Sequence, residues 1–238
     1  MTYTVLEYKE YLKRERSGNM IYNLELEKQL IEQEFDKKFE DIIKYKKLKP
    51  IVSYTTRPIR SSEVQNREHI FINNEEADKL LEDSSKILAY TKIGDNRYFA
   101  LVDQLQDYNA YIIDPKGLKN LKEIHPELKI KSIYITLDSD TRAERYLARI
   151  GKPVKEDTIK EFNDRDKSES EQFDEFERED KDHITINNNN LYMVNTVFNI
   201  FCYIINNYSD DTLFCFLGRT ASGKDTLVRK VCELFEKR

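Results

Sequence analysis

Along the chain, apolar and polar positions alternate in two different rhythms. From about Val5 to Lys44 charge is dense, yet Leu24, Leu30, Ile31, Phe35, Phe39, Ile42 and Ile43 recur on one face at helical spacing. Gly18-Asn19 divides this stretch into two predicted helices. Such a stripe is a packing face, against the rest of the chain or another subunit. After Lys49-Pro50 the texture changes. Ile51 to Tyr54 predicts a short strand, Thr55 to Arg60 a polar turn with two arginines, and Glu68 to Ile72 a second strand. Asn74 is the predicted cap of a helix through Leu81, and Ile87–Tyr90 and Arg97–Ala100 are predicted to pair around Gly94-Asp95-Asn96. Residues 51–105 therefore read as a small strand-rich insertion.

From Ala110 strands and helices alternate. Tyr111–Asp114 is a strand ending in an acid, followed by a helix over Gly117–Ile124 and a strand over Ile133–Leu137. Asp138 or Ser139 then caps a helix carrying Arg142, Arg145 and Arg149, and a highly charged helix runs from about Glu156 to Glu179. A strand over His183–Asn187 precedes an amphipathic helix over Leu191–Ile205, with Asn195, Asn199 and Asn206 as its polar stripe. Ser209-Asp210-Asp211 leads into a last apolar run, Leu213 to Leu217. The alternation predicts an α/β fold with a doubly wound, mostly parallel sheet, its ligand at the C-terminal ends of the strands.

The last apolar run ends at Gly218; four residues intervene before Gly223-Lys224, and Leu227, Val231, Leu234 and Phe235 then mark one face of a helix. Strand, glycine-bearing turn and helix are the context that a phosphate-binding loop requires. Glycines let the N–H groups from Gly218 through Ala221, Ser222 and Gly223 converge on phosphate oxygens, the helix N-terminus adds partial positive charge, and Lys224 reaches the terminal phosphates. The plainer alternative is a strand-to-helix turn with an exposed lysine. Only the G-x4-G-K part of the pattern is intact: Asp225 stands where a Ser or Thr hydroxyl is usually offered to magnesium, leaving Asp225 itself or Thr226 as the candidate ligand.

Composition narrows the functional classes. A chain of 238 residues, 39% hydrophobic and 35% charged, suits one folded domain or one domain with an appendage. A net charge of -5 gives no general affinity for nucleic acid or anionic membrane, so any anionic ligand must be met by local arginines and lysines. Cys202, Cys215 and Cys232 lie in apolar surroundings without Cys-x-x-Cys spacing and read as buried thiols of a reducing, cytoplasmic setting. Met1 to Glu10 lack an apolar signal core, and Leu191–Ile205 is too short and too rich in Asn to span a membrane.

Ser53-Tyr-Thr-Thr-Arg57-Pro-Ile-Arg60, followed by Glu63-Val64, resembles the S-x-T-T-R-x-x-R segment with which guanylate kinases bind the phosphate of the acceptor nucleotide. Two guanidinium forks three residues apart on a turn can converge on one phosphate through charge-assisted bonds, and Ser53 can add a hydroxyl. The resemblance covers about residues 45–238 in rotated order: the arginine segment comes early and the phosphate loop last, as in a circular permutation whose former ends join through Tyr208–Asp211. It implies a P-loop NTPase-type sheet, an NMP-binding region over 51–105, a helical lid over 139–180, a P-loop strand and helix over 212–238, and an addition over 1–44 that could carry homo-oligomer contacts.

Residue by residue, the resemblance implies that Gly218 to Lys224 hold the phosphates of ATP with Mg²⁺, that Ser53, Arg57, Arg60 and Tyr98 hold the acceptor phosphate, and that Asp114 reads the base. His69 falls at a phosphate-touching tyrosine of the family; a structural histidine is the equal alternative. Arg145, Arg149 and Arg165 match lid arginines that close over the transferring group, with a solvated helix face as their alternative, and Asn187 matches a residue near the donor adenine. The acidic run from Glu169 to Asp182 matches nothing catalytic and reads as solvated surface. Departures are specific: Ala89 stands for a guanine-reading acid, Ala100 for a guanine-contacting Ser, Phe99 for a glycine and Ile112 for a sheet acid. A lost charge-assisted contact to the base costs about 1.5–3 kcal/mol, so strict GMP selectivity is not expected. The implied activity is transfer of the γ-phosphoryl group of ATP to GMP, dGMP or a related NMP. The alternatives are an inactive guanylate kinase-like module that binds a nucleotide or phosphorylated partner, and a scaffold assembled through 1–44.

Overall fold

A computed structural model describes residues 47–61, 63–150, 156–189 and 193–236. The helices expected over Val5–Lys44 lie outside these residues. In chain order the elements are β1 (Tyr54–Thr55), β2 (Ile70–Phe71), α1 (Asn74–Leu81), β3 (Ile87–Ile93), β4 (Asn96–Leu101), β5 (Ala110–Ile112), α2 (Pro115–Ile124), β6 (Lys129–Thr136), α3 (Ser139–Ile150), α4 (Glu156–Glu179), β7 (Ile184–Asn187), α5 (Met193–Asn207), β8 (Thr212–Leu217) and α6 (Lys224–Glu236).

Two four-stranded sheets result. One is parallel throughout, in the order β5-β8-β6-β7, with Tyr111 opposite Cys215, Ile133 opposite Phe216 and Ile135 opposite Ile186. The last strand in sequence thus lies between the fifth and the sixth. Every residue of β8 is buried, as an interior parallel strand covered on both faces requires. Leu213, Cys215 and Leu217 join Tyr111, Ile113 and Tyr134 in a core closed by Leu118 and Leu121 of α2 and Phe173 and Phe176 of α4. By strand alternation Phe214 and Phe216 face the other side, and α5 meets α6 there through Phe201 and Phe235, 5.4 Å between ring centres. This is the doubly wound α/β arrangement that the alternating pattern predicts.

The second, mixed sheet has the order β2-β1-β4-β3. The β3–β4 hairpin turns at Gly94, whose φ of +59° suits glycine, as expected from its turn residues. Several boundaries shift. The first strand begins at Tyr54 rather than Ile51 because Ile51 donates its N–H to Ala110 of the parallel sheet at 2.7 Å, tying the segment to β5 instead. Asn73, not Asn74, caps α1: its side chain accepts the Glu76 N–H at 2.8 Å while the Glu76 carboxylate accepts the Asn73 N–H at 2.9 Å, a reciprocal capping box. Asp138 fills the corresponding place before α3, accepting the Thr141 N–H at 2.8 Å. Cys215 and Cys232 are buried and Cys202 half-buried, all as free thiols. Among the described residues no helix is long and apolar enough to cross a membrane.

Candidate active site

The turn between β8 and α6 is built by two backbone reversals. Ala221 and Gly223 have φ of +63° and +87°, the kind of local reversal from which anion-binding turns are built; within it the Thr220 N–H donates to Glu169 at 2.6 Å and the Ser222 N–H to the Arg219 carbonyl at 3.1 Å. Gly218 cannot carry a side chain: a Cβ there would lie 2.5 Å from the Ser222 hydroxyl and 2.9 Å from the Ile135 carbonyl oxygen. A Cβ on Gly223 would lie 2.8 Å from Nδ2 of Asn188 and 3.2 Å from Nη1 of Arg145. Arg145, predicted as a lid residue, therefore leans over the loop. Lys224 opens α6 with its Nζ 3.6 Å from the Asp225 carboxylate. The Lys224 charge, with smaller contributions from Arg229 and His69, holds the Asp225 carboxyl below the usual range; Asp225 is 62% exposed and Thr226 is exposed. An accessible anionic oxygen donor beside the loop fits a hard cation such as Mg²⁺.

Asn188 was not singled out by sequence. It is buried and donates from Nδ2 to the Ser222 carbonyl at 2.8 Å, pinning the loop to the end of β7. Its neighbour Asn187, the residue that the resemblance pointed to, is exposed and accepts the Asn189 N–H at 2.7 Å. The run of asparagines was the visible signal, but nothing in it distinguishes the buried member.

The acceptor-type turn is tied internally. Arg57 is buried and forms a bidentate pair with Glu63, 2.7 Å on both arms, while its guanidinium lies 5.2 Å from the Phe71 ring centre. Glu63 also accepts the Arg60 N–H at 2.9 Å and sits 3.5 Å from the Arg60 guanidinium. Burial works to raise the Glu63 carboxyl, but Arg57 and Arg60 outweigh it and pull the pKa from 4.5 to about 2. Ser53 and His69 share a hydrogen bond of 2.9 Å between Oγ and Nδ1, and Tyr98 lies edge-on to the imidazole at 5.8 Å. Burial lowers the His69 pKa, Arg57 lowers it further, and Glu63 and Asp225 oppose the shift.

The predicted cations influence one another electrostatically. Arg60, 52% exposed, has its pKa lowered by burial and then by the charges of Arg57, Arg149 and Arg165, against the pull of Glu63. Charges from the early turn, from α3 and from α4 thus act together on Arg60, although Arg57 is paired with Glu63 and Arg165 with Glu169, and His69 is influenced by Asp225. Arg149 is exposed and rests 5.5 Å from the Tyr146 ring centre. Asp114 lies two residues beyond β5 and caps α2, its Oδ1 accepting the Lys116 and Gly117 N–H groups at 3.0 and 3.1 Å; burial raises its pKa against those bonds. Ala89 and Ala100 face each other across the hairpin and are buried, and Phe99 stacks on Tyr54 at 5.2 Å.

The acidic run on α4 corrects the expectation of bare solvated surface. Glu169 is 19% exposed and accepts the Thr220 N–H at 2.6 Å, the Thr220 hydroxyl, and Nε–H of Arg165 at 2.8 Å. Asp180 is 10% exposed and pairs with Lys122 at 2.7 Å and with the Ser132 hydroxyl at 3.0 Å. Arg142 is buried against Asp166, and Arg219 donates to Ser170 at 2.7 Å. These partners lie up to 58 residues away in sequence, beyond the reach of helical periodicity.

A parallel α/β sheet whose interior strand ends in a glycine-bearing turn, beside a small mixed sheet carrying buried arginine, defines the class. A family model for guanylate kinase matches residues 39–191; the chain belongs to the guanylate kinase family. The crystal structure of guanylate kinase from Anaplasma phagocytophilum is similar at 18% identity and a TM-score of 0.44, covering 68% of this chain and 80% of that one, a likeness too remote to carry any residue's role. Among curated protein sequences, nothing matches the chain.

Proposed function

We propose that this protein is a cytoplasmic nucleoside monophosphate kinase that transfers the γ-phosphoryl group of ATP to GMP, dGMP or a related NMP. The observation that carries this reading is the glycine-bearing turn after β8, with positive φ at Ala221 and Gly223 and Nη1 of Arg145 3.2 Å from where a Gly223 Cβ would lie; the charges of Arg149 and Arg165 also act on Arg60 of the early turn. Such a site needs no covalent intermediate. Phosphoryl transfer is met by in-line positioning and by neutralising charge spread over the transferred group.

In this reading the turn from Gly218 through Ala221, Ser222 and Gly223 to Lys224 cradles the ATP phosphates, with Asn187 near the adenine. Ser53, Arg57, Arg60, His69 and Tyr98 hold the acceptor phosphate, Asp114 lies on the base side, and Arg145, Arg149 and Arg165 close over the transferred group. Asp225 and Thr226 would hold Mg²⁺, which neutralises phosphate charge when bound with ATP. The rotated order is a circular permutation of the family pattern. Its support is the position of β8 inside the sheet and the end of the family match at residue 191, ahead of the loop. The domain division follows: an addition over 1–44 that offers self-association, and a permuted kinase domain over 45–238, with its acceptor region at 51–105, lid at 139–180 and P-loop strand and helix at 212–238.

The test is a coupled assay with ATP-Mg²⁺ and a panel of ribo- and deoxynucleoside monophosphates. Turnover of GMP or dGMP, lost in Lys224→Ala and Arg57→Ala, is the expected result. Turnover of a different base keeps the mechanism and moves the substrate, the direction that the buried Ala89–Ala100 pair favours. A folded protein that turns over no acceptor is a binding module instead.

A further inference from the structure

Glu169 touches both sides of the proposed transfer site at once. One oxygen accepts the Thr220 N–H at 2.6 Å; the other accepts the Thr220 hydroxyl and, at 2.8 Å, the Nε–H of Arg165. Thr220 is buried, in the front half of the loop, while Arg165 is 43% exposed and is held by its ion pair with Glu169. The carboxylate is anionic, since the bonds from Thr220 and the Arg165 charge outweigh burial and hold its pKa below the usual range.

The base on which Glu169 stands is rigid. One turn further along α4, Phe173 stacks on Tyr134 of β6 at 5.1 Å, and Phe176 meets the same ring edge-on at 5.7 Å. One turn before, the buried Arg142 binds Asp166 and ties α4 to α3. Arg219, the residue before Thr220, donates to Ser170 of the same helix at 2.7 Å. The middle of α4 is therefore a fixed strut whose side chains reach the phosphate loop and Arg165 together.

We infer that Glu169 is a positioning residue: it anchors the front of the phosphate loop through Thr220 and aims the guanidinium of Arg165 from the same carboxylate, so that loop and arginine are set relative to each other. The inference rests on the kinase reading for its effect on turnover, but not for its effect on ATP binding. The two contributions separate chemically. Glutamine keeps an oxygen for the Thr220 N–H but loses the ionic hold on Arg165; alanine loses both and leaves a buried N–H unpaired.

The experiment uses the full chain, with calorimetric titration of ATP-Mg²⁺ and steady-state kinetics on wild type, Glu169→Gln, Glu169→Ala, Arg165→Ala and the Glu169→Gln/Arg165→Ala double variant. For Glu169→Gln the expected result is an ATP Kd within about threefold of wild type and a kcat lowered about tenfold. In the Arg165→Ala background the same change should lower kcat by less than about twofold, because residues that act as a unit are not additive. Glu169→Ala should weaken ATP about tenfold. A wild-type kcat in Glu169→Gln, or equal losses in both backgrounds, overturns the aiming role. If wild type itself turns over no acceptor, the kinase reading fails, and the ATP titrations alone decide the anchor: an unchanged Kd in folded Glu169→Ala overturns it. Should Glu169→Ala not fold, Thr220→Val removes the hydroxyl bond, with ATP expected to weaken about threefold and an unchanged Kd overturning the anchor.

Discussion

The early arginine turn and the late glycine-bearing loop, both proposed to meet anions, hold their charges in different ways. In the turn, Arg57 is 9% exposed and locked to Glu63, itself 11% exposed, by two bonds of 2.7 Å. In the loop, Lys224 has one carboxylate neighbour at 3.6 Å, and that carboxylate is 62% exposed. The turn is pre-organised by a buried pair, so its cation contributes to the fold itself. The loop is pre-organised by backbone, through the positive φ of Ala221 and Gly223 and the bonds from Asn188 and Glu169, so its lysine contributes little to the fold. On the proposed reading, anion recognition and stability are therefore coupled at the first region and nearly separate at the second.

The sharpest consequence is kinetic. Lys224→Ala is expected to lower kcat about 10²–10³-fold, as removal of a pre-organised donor does elsewhere, while changing unfolding free energy by less than about 0.5 kcal/mol. Phosphoryl-transfer rates and urea melts on the same preparation check both halves. A Lys224→Ala chain that melts as early as an Arg57→Ala chain removes the contrast.

Arg57→Ala should be the larger structural lesion, at about 3–4 kcal/mol, because it strands a mostly buried Glu63 without its partner. Adding Glu63→Gln should recover part of that loss, since the stranded charge is then gone. Urea melts of the two single variants and the double read this directly.

The third expectation concerns acid. The Glu63 carboxyl titrates at about 2 in the folded chain against an ordinary value of 4.5. The unfolded chain binds that proton first, so stability rises with pH across this window and is lost as pH falls from about 4.5 towards 2. At 1.36 kcal/mol per unit the full loss is about 3 kcal/mol. Glu63→Gln should flatten this part of the stability profile, and a profile equally steep in wild type and variant would assign the acid sensitivity elsewhere.

The same contrast explains what could be read from the sequence. The loop was legible because its determinants are local: an apolar run, Gly218, Gly223 and Lys224 within a short span, and helical spacing after it. The arginine turn was singled out for the same reason, but the pairing of Arg57 with Glu63, six residues on, was not read. The parallel sheet followed from alternating strands and helices, but its strand order, with β8 in the interior, was not read from the sequence. Asn188, Glu169 and Asp180 were not legible. A buried Asn among four consecutive asparagines, and an inward Glu in a run of acids, carry no periodic mark; only pairing across the fold selects them. The strand boundary at Tyr54 was missed because Ile51 finds its hydrogen bond on the other sheet, at Ala110.

The smallest expected effect tests whether the two regions are joined by contact or by field. Arg229 of α6 reaches Glu68, just before β2, with Nη1 3.4 Å from Oε1. Arg229 is 49% exposed, and Glu68 keeps the Arg67 guanidinium at 2.7 Å and the Val64 N–H at 2.8 Å whether or not Arg229 is present. Arg229→Ala should therefore cost less than about 0.5 kcal/mol, as exposed pairs do. The acceptor KM should likewise change less than about twofold, because the longer-reaching charges between His69 and Asp225, and between Arg60 and the arginines of α3 and α4, remain in place. Those interactions weaken with ionic strength, so the wild-type KM should rise with added salt and the Arg229→Ala curve should run parallel to it. A tenfold rise in KM for Arg229→Ala at low salt would instead mean that this single bond holds the arginine turn against the helix that follows the phosphate loop.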